Sequence, residues 1–301
     1  MSEVFNIESI HQLHYLAGGP PPNHPLFCIH QLEDIQALDA KFPEKFTYNF
    51  YCTGLKKNLP ENIQYGRSHY DFQEGVMGFT APLQVMSFER HATENATGWV
   101  IFFHKDLMNG TPLQDKIDQY GFFHYNVDEG LFLSPKEEEA MMAIFQNIAT
   151  EYQRPIDQHS KQVVLSNLEL LFTYAERFYA RQFIVRNDTN PDILRRFEQT
   201  LKAYFNQSRD LPALPTVEYF ADQLNLSANY LSDLLKSLTG KSTLEHIHYQ
   251  IIEMAKHKIL GTNQSMAEIA FELGFEYPQY FSRLFKNKTG MTPKEFRLSS
   301  N

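Results

Sequence analysis

One stretch of this chain repeats itself, and few folds accommodate the repeat. Ala221-Asp-Gln-Leu-Asn-Leu-Ser227 is echoed 49 residues later by Ala270-Phe-Glu-Leu-Gly-Phe-Glu276. Tyr230-Leu-Ser-Asp-Leu-Leu-Lys236 and Thr239-Gly240 are echoed 50 residues later by Tyr280-Phe-Ser-Arg-Leu-Phe-Lys286 and Thr289-Gly290. The one-residue difference falls between the two halves of each copy. Each copy therefore reads as helix, tight turn, helix.

The turn has its own chemistry. Ala221 and Ala270 supply the small residue that two closely crossing helices need. Four positions on, the backbone wants a positive φ, which Gly274 adopts freely and Asn225 tolerates. Leu226 and Phe275 then plug the space between the helices. In the second helices, Leu231, Leu234, Leu235 and Leu238 face inward in the first copy, and Phe281, Leu284 and Phe285 in the second. Outward, the first copy presents Asn229, Ser232, Asp233 and Lys236. The second presents Gln279, Ser282, Arg283 and Lys286.

A polar stripe of Gln, Ser, Arg and Lys on a short helix behind a tight turn suits the reading of base edges in a major groove. Arg pairs bidentately with guanine and Gln with adenine, while Lys reaches phosphate. One amphipathic helical hairpin is weak evidence for this; two copies in register are much stronger. Charge sharpens the contrast. The chain carries 27 Lys+Arg and 36 Asp+Glu, a net of -9. Residues 1–189 hold 14 and 24, whereas residues 190–301 hold 13 and 12. From Arg283 onward, Arg283, Lys286, Lys288, Lys294 and Arg297 oppose only Glu295, a local patch able to face phosphates. A solvated basic helix end would account for the same charges. The boundary falls in Arg186-Asn-Asp-Thr-Asn-Pro191, whose polar composition reads as a linker.

The run from Ile269 to Arg297 closely resembles the signature of the AraC/XylS family of bacterial transcription regulators, and the resemblance extends from about Asp192. It implies two helix-turn-helix units held apart by a linker helix, here about Ser242 to Leu260, with Leu244, Ile247, Ile251, Ala255 and Ile259 facing the core. By position, Asn229, Ser232 and Asp233 would face bases in the first unit, and Gln279, Ser282 and Arg283 in the second. Lys236, Lys286 and Lys288 complete the expected DNA-binding set. Asp233 departs from the family pattern, which often has a basic residue there, so the second unit is expected to carry more of the affinity.

The N-terminal part reads differently. Leu26–His30, Phe46–Cys52, Gln64–Phe72, Val76–Thr80, Gln84–Phe88 and Gly98–His104 are short apolar segments separated by turn residues. Such spacing predicts a small antiparallel barrel or sandwich. From Ser134-Pro135-Lys136-Glu137, an N-cap signature, the period becomes helical. A second helix, about Gln158 to Phe183, carries the stripe Val164, Leu168, Leu171, Ala175 and Phe178. Leu165, Phe172 and Tyr179 flank it on one side, Val163, Leu170 and Tyr174 on the other. So wide an apolar face needs partners on two sides: the barrel on one, and on the other either the same helix of a second copy, making a homodimer, or a further part of the same chain. Tyr70–Gly75, Phe103–Leu107 and Leu131–Ser134 loosely resemble the cupin-like sensor domains attached to this family.

These readings together give a two-domain α+β protein. Residues 1–189 form a cupin-like β-barrel with two helices that senses and dimerises, and residues 190–301 an all-α DNA-binding domain with two helix-turn-helix motifs. The expected function is a one-component transcriptional regulator, more often an activator in this family. Its expected partners are promoter DNA, a small-molecule effector, a second copy and RNA polymerase.

An enzyme is not expected. Metal-dependent cupins use a His-x-His pair followed by Glu and a further His, and the one His-x-His here, His246/His248, lies on the linker helix. His69 and His104 could approach His30 in a barrel, but no metal site or cofactor is expected from them. A DNA-repair alkyltransferase needs a reactive cysteine in a metal-bound cluster, and Cys28 and Cys52 lack paired spacing. Control by a protein partner in place of a small molecule stays open. The two cysteines form no disulfide framework, the longest apolar run is the six residues Ala140–Phe145, and no Lys or Arg precedes Lys41. A cytoplasmic protein without a membrane span is the expectation.

Overall fold

The computed structural model describes residues 4–35, 42–58, 75–87, 97–189, 192–206 and 213–299. Contacts divide the chain into two units, Met1–Gln182 and Phe183–Asn301. The first mixes sheet and helix; the second is helical.

The first unit contains β1 (Phe5–Ile7), α1 (Ile10–Leu16), β2 (Phe27–Gln31), α2 (Leu32–Ile35), β3 (Lys45–Tyr48), β4 (Tyr51–Lys57), β5 (Gly75–Thr80), β6 (Met86–Ser87), β7 (Thr97–Phe103), α3 (Pro112–Lys116), β8 (Leu131–Leu133) and α4 (Pro135–Tyr152). α5 (Ser160–Thr189) follows. Among the described residues the strands make two open sheets, not the closed antiparallel barrel expected. The larger has the order β2-β7-β4-β5-β8 and the smaller β1-β3-β6. In the smaller, β1 pairs with β3 in parallel. The expected strand Phe46–Cys52 is broken at Asn49 and Phe50, so that β3 joins one sheet and β4 the other. Tyr48 and Phe50, on either side of that corner, both enter one core, their rings stacked at 5.0 Å. Burying both aromatic rings in one place outweighs continuing a single strand. The expected strand Gln64–Phe72 lies outside the described residues.

That core lies between the sheets and holds Ile7, Cys28, Phe46, Val100 and Phe102 with Ile10 and Leu13 of α1. Ser9 starts α1 by accepting from the Gln12 amide, while Gln12 accepts from the Glu8 amide. The opposite face of the larger sheet meets α5. Phe172 packs near Phe103 and Phe123, and Tyr179 near Phe79 and Phe122.

α5 also completes the edge strand β8, whose outer backbone groups would otherwise go unpaired. Arg181 donates to the Phe132 carbonyl at 2.7 Å, and Gln182 accepts from the Phe132 amide at 2.8 Å. Tyr179 donates to the Glu129 carbonyl. Arg181 also pairs with Glu137, which in turn accepts from the Ser134 amide in the N-cap expected for α4. The two flanks of α5 differ. Leu165, Phe172 and Tyr179 are buried, whereas Val163 and Leu170 are 39% and 45% exposed. Helix continues through Thr189, so the supposed linker is helical over Arg186–Thr189.

The second unit comprises α6 (Asp192–Asn206), α7 (Val217–Leu224), α8 (Ala228–Thr239), α9 (Thr243–Gly261), α10 (Met266–Glu272), α11 (Pro278–Thr289) and α12 (Pro293–Ser299). Its core is built from α6–α11, with Phe197, Phe220, Leu231, Ile251, Ile269 and Phe281 among its members, and Phe296 of α12 packs against it. The expected linker helix is α9, capped by Ser242. Ile247, Ile251, Ala255 and Ile259 are buried, but Leu244, expected to face the core, is 47% exposed. It stands in the first turn, where Thr243 takes the buried place instead.

Candidate nucleic-acid interface

The sequence repeat is a repeat of backbone hydrogen bonds. In α7–α8, the Leu226 amide returns to the Ala221 carbonyl at 3.0 Å; in α10–α11, Phe275 returns to Ala270 at 3.0 Å. The corners are left-handed, with φ 54° at Asn225 and 85° at Gly274. Ser227 starts α8 by accepting from the Tyr230 amide, whereas α11 starts on Pro278, which has no amide to satisfy. Both second helices end alike. Thr239 and Thr289 donate to carbonyls four residues back, and Gly240 and Gly290 take positive φ.

These frames fix where the expected DNA-binding residues stand. On α11, Gln279, Arg283 and Lys286 are exposed at i, i+4 and i+7, one continuous outer stripe. Ser282 is half-buried and donates to the Pro278 carbonyl, so its hydroxyl is engaged on its own helix. On α8, Asn229 and Lys236 are exposed. Asp233 is half-buried, as is Ser232, whose hydroxyl donates to Thr243 at the start of α9. The outer stripe of α8 is thus sparser than that of α11.

Lys236 and Lys288, also exposed, belong to different helix pairs, yet both act on Glu245 of α9. The Ser242 amide and hydroxyl hold the Glu245 carboxyl below its ordinary range, with Lys288 and Lys236 adding to the effect. The basic patch is also smaller than composition implies. Arg297 donates to the carbonyls of Ile259 (3.0 Å) and Gln264 (2.7 Å), so its guanidinium serves the fold. Arg283, Lys286 and Lys288 remain on the open side.

One difference between the pairs was hidden by the repeat. Tyr230 and Tyr280 align in sequence, but Tyr230 is buried against Phe183, rings at 5.0 Å, while Tyr280 is 57% exposed beside Tyr277. The aromatic pair at the start of α11 adjoins Gln279 and adds to the outer surface. The run Tyr277-Pro-Gln-Tyr280 is a visible sequence signal, but equating Tyr280 with Tyr230 conceals it.

Of the histidines considered in the first unit, the two described, His30 and His104, have different partners. His69 lies outside the described residues. His104 caps the turn that follows it, its Nδ1 accepting from the Asp106 amide at 3.2 Å. His30 instead meets His14, on a helix the sequence reading did not anticipate, although Ser9 and Gln12 carry its start signal. His246 bonds Thr239 at 2.8 Å, within the second unit.

A family described as a helix-turn-helix domain matches residues 220–299. The chain is similar to the bifunctional transcriptional activator/DNA repair enzyme AdaA of Bacillus subtilis, 34% identical over 85 residues, covering 28% of this chain and 40% of that protein. It is also similar to the HTH-type transcriptional activator RhaS of Escherichia fergusonii, 27% identical over 134 residues, covering 44% and 46%. Among solved structures, the C-terminal domain of AraT, a response regulator from Geobacillus stearothermophilus, is 31% identical over 36% of this chain and 85% of that one, with a TM-score of 0.32. The chain thus spans less than half the length of either curated relative. No described helix is long and apolar enough to cross a membrane.

Proposed function

We propose that this protein, whose residues 220–299 match a helix-turn-helix family, is a sequence-specific DNA-binding transcriptional regulator of the AraC type, of the activating kind, and not an enzyme. The observation that carries the reading is the open stripe Gln279, Arg283 and Lys286 behind the left-handed Gly274 corner. Such a helix enters a major groove with its first turns at the base edges. In this reading α7–α8 and α10–α11 are two helix-turn-helix units within residues 190–301. Gln279, Arg283 and Ser282 face bases from α11, and Lys286 and Lys288 meet phosphates. Asn229, Ser232, Asp233 and Lys236 are the corresponding set on α8. The bond from Ser232 to Thr243 and the acidic Asp233 support giving that set the smaller share.

Residues 1–189 act in this proposal as a cupin-like sensor and dimerisation domain in the cytoplasm. It couples a small-molecule effector to DNA occupancy and to RNA polymerase. The homodimer is assigned to the Val163 and Leu170 flank of α5, because the opposite flank is buried within the chain itself.

A binding selection from genomic fragments supplies a specific duplex, against which variants are titrated beside a scrambled one. Arg283→Ala should weaken specific binding by about 1–3 kcal/mol and leave scrambled binding nearly unchanged. Lys286→Ala should weaken both and lower the salt slope by about one. Equal, sequence-blind losses for the two variants would remove Arg283 from the bases.

A further inference from the structure

Cys28 and His30 stand two residues apart on β2, so the pleat turns both side chains to one face. α1 lies over that face, held by Ile10 and Leu13 in the core between the sheets. It brings His14 against the pair. The Nε2 atoms of His14 and His30 are 3.0 Å apart. Together with the Cys28 Sγ, the three donor atoms all lie within 4.8 Å of one another. Cys28 is 0% and His14 6% exposed, while His30 is half-buried and opens the group toward solvent.

His14 is oriented from behind. Its Nδ1 lies 2.7 Å from the Pro20 carbonyl. A carbonyl only accepts, so Nδ1 carries the proton and Nε2 presents its lone pair to His30 and Cys28. An outer hydrogen bond of this kind fixes the tautomer and ring orientation of a metal-ligating imidazole.

We propose that His14, Cys28 and His30 bind one zinc-class cation, with a solvent oxygen as fourth ligand on the His30 side. Two imidazoles and a thiolate are a donor set for tetrahedral Zn²⁺, and harder cations such as Mg²⁺ or Ca²⁺ disfavour it. Zinc–nitrogen bonds of about 2.0–2.1 Å place two ligating nitrogens roughly 3.3 Å apart, so the imidazoles need to part by only a few tenths of an ångström. On binding, the Cys28 thiol proton passes to solvent and the His30 proton moves from Nε2 to Nδ1. Both rings stay neutral, and the site gains one net positive charge. The proposal departs from the metal-free expectation drawn from sequence, where His30 was matched with His69 and His104.

The test uses the full chain, reduced and stripped with chelator, titrated with Co²⁺ and then with Zn²⁺ against a chromophoric chelator. One equivalent of Co²⁺ should give the intense visible bands of a tetrahedral site and a near-ultraviolet thiolate-to-metal band, both displaced by Zn²⁺. Zn²⁺ should raise the melting temperature by mass action. Cys28→Ser should abolish the thiolate band. His30→Asn, at a half-buried position, should retain the native circular dichroism and weaken Zn²⁺ at least about tenfold. A pale octahedral Co²⁺ spectrum without a thiolate band, or an unchanged Zn²⁺ affinity in His30→Asn, overturns the proposal. The 3.0 Å contact is then a plain hydrogen bond between neutral imidazoles. Should Cys28→Ser fail to fold, the wild-type cobalt spectrum and His30→Asn still decide. No DNA enters the experiment, so its outcome is independent of the DNA-reading proposal.

Discussion

Asn225 and Gly274 occupy the same corner of the two helix pairs, and both are left-handed, with φ 54° and 85°. They are not equally replaceable. A Cβ built on Gly274 comes within 2.7 Å of the Ala213 carbonyl carbon and 2.8 Å of its oxygen. Gly274→Ala therefore combines an unfavourable φ with a backbone clash, and should destabilise the second unit by more than about 1–2 kcal/mol. Asn225→Gly relieves an unfavourable φ and should change stability by less than about 1 kcal/mol. Urea unfolding of both variants, followed by circular dichroism, checks the contrast; equal losses would contradict it.

Glu245 lies where Lys236 and Lys288 both act on it, so it subtracts from the positive field offered to DNA. Glu245→Gln keeps an acceptor for the Ser242 amide and removes the charge. Affinity for any duplex should rise a few-fold at low salt, and the salt slope should steepen by up to about one. An unchanged affinity and slope would mean that Glu245 does not weaken the field that these lysines offer to DNA.

Glu268 and Glu295 cap the starts of α10 and α12, each held below the ordinary glutamate value of 4.5 chiefly by a backbone amide, that of Ser265 and Thr292 respectively. Because the folded values are depressed, their contribution is present above about pH 4.5 and is lost as pH falls through the folded values beneath it. Replacing both with Gln preserves an acceptor and removes the titration. Stability of the double variant should fall less steeply than wild type between pH 5 and pH 3. Thermal melts across that range measure it.

Leu170 and Leu165 sit on opposite flanks of α5, one 45% and the other 2% exposed. Leu165→Glu should unfold the first unit, at a cost of several kcal/mol for a buried unpaired charge. Leu170→Glu should fold normally and, if α5 pairs with a second copy, shift the full chain toward monomer in sedimentation. A native-like dimer of Leu170→Glu would move the interface elsewhere.

Legibility from sequence followed the range of the interactions. The corners at Asn225 and Gly274, the stripe of Gln279, Arg283 and Lys286, and the Ser134–Glu137 cap are set by neighbours within a few residues, and the sequence displays them directly. The sheets are not local. Nothing in Phe46–Cys52 announces a corner at Asn49, because that corner exists to bring Tyr48 and Phe50 against Phe102, half a hundred positions away. Which flank of α5 is covered was equally hidden: Leu165 and Leu170 are alike in type and differ only in what packs on them. The encounter of His14 with His30 needed a helix, α1, whose signal is a single Ser-x-x-Gln.

The bonds from Arg297 to Ile259 and Gln264 span 38 and 33 residues. During synthesis, α9 and the loop after it emerge from the ribosome well before the arginine that ties them down. Until Arg297 is exposed, those carbonyls have only water to bond. The second helix pair should therefore reach its final rigidity late, after α7 and α8 have already paired through contacts close in sequence. Translation thus imposes an order on two units that the repeat makes look interchangeable.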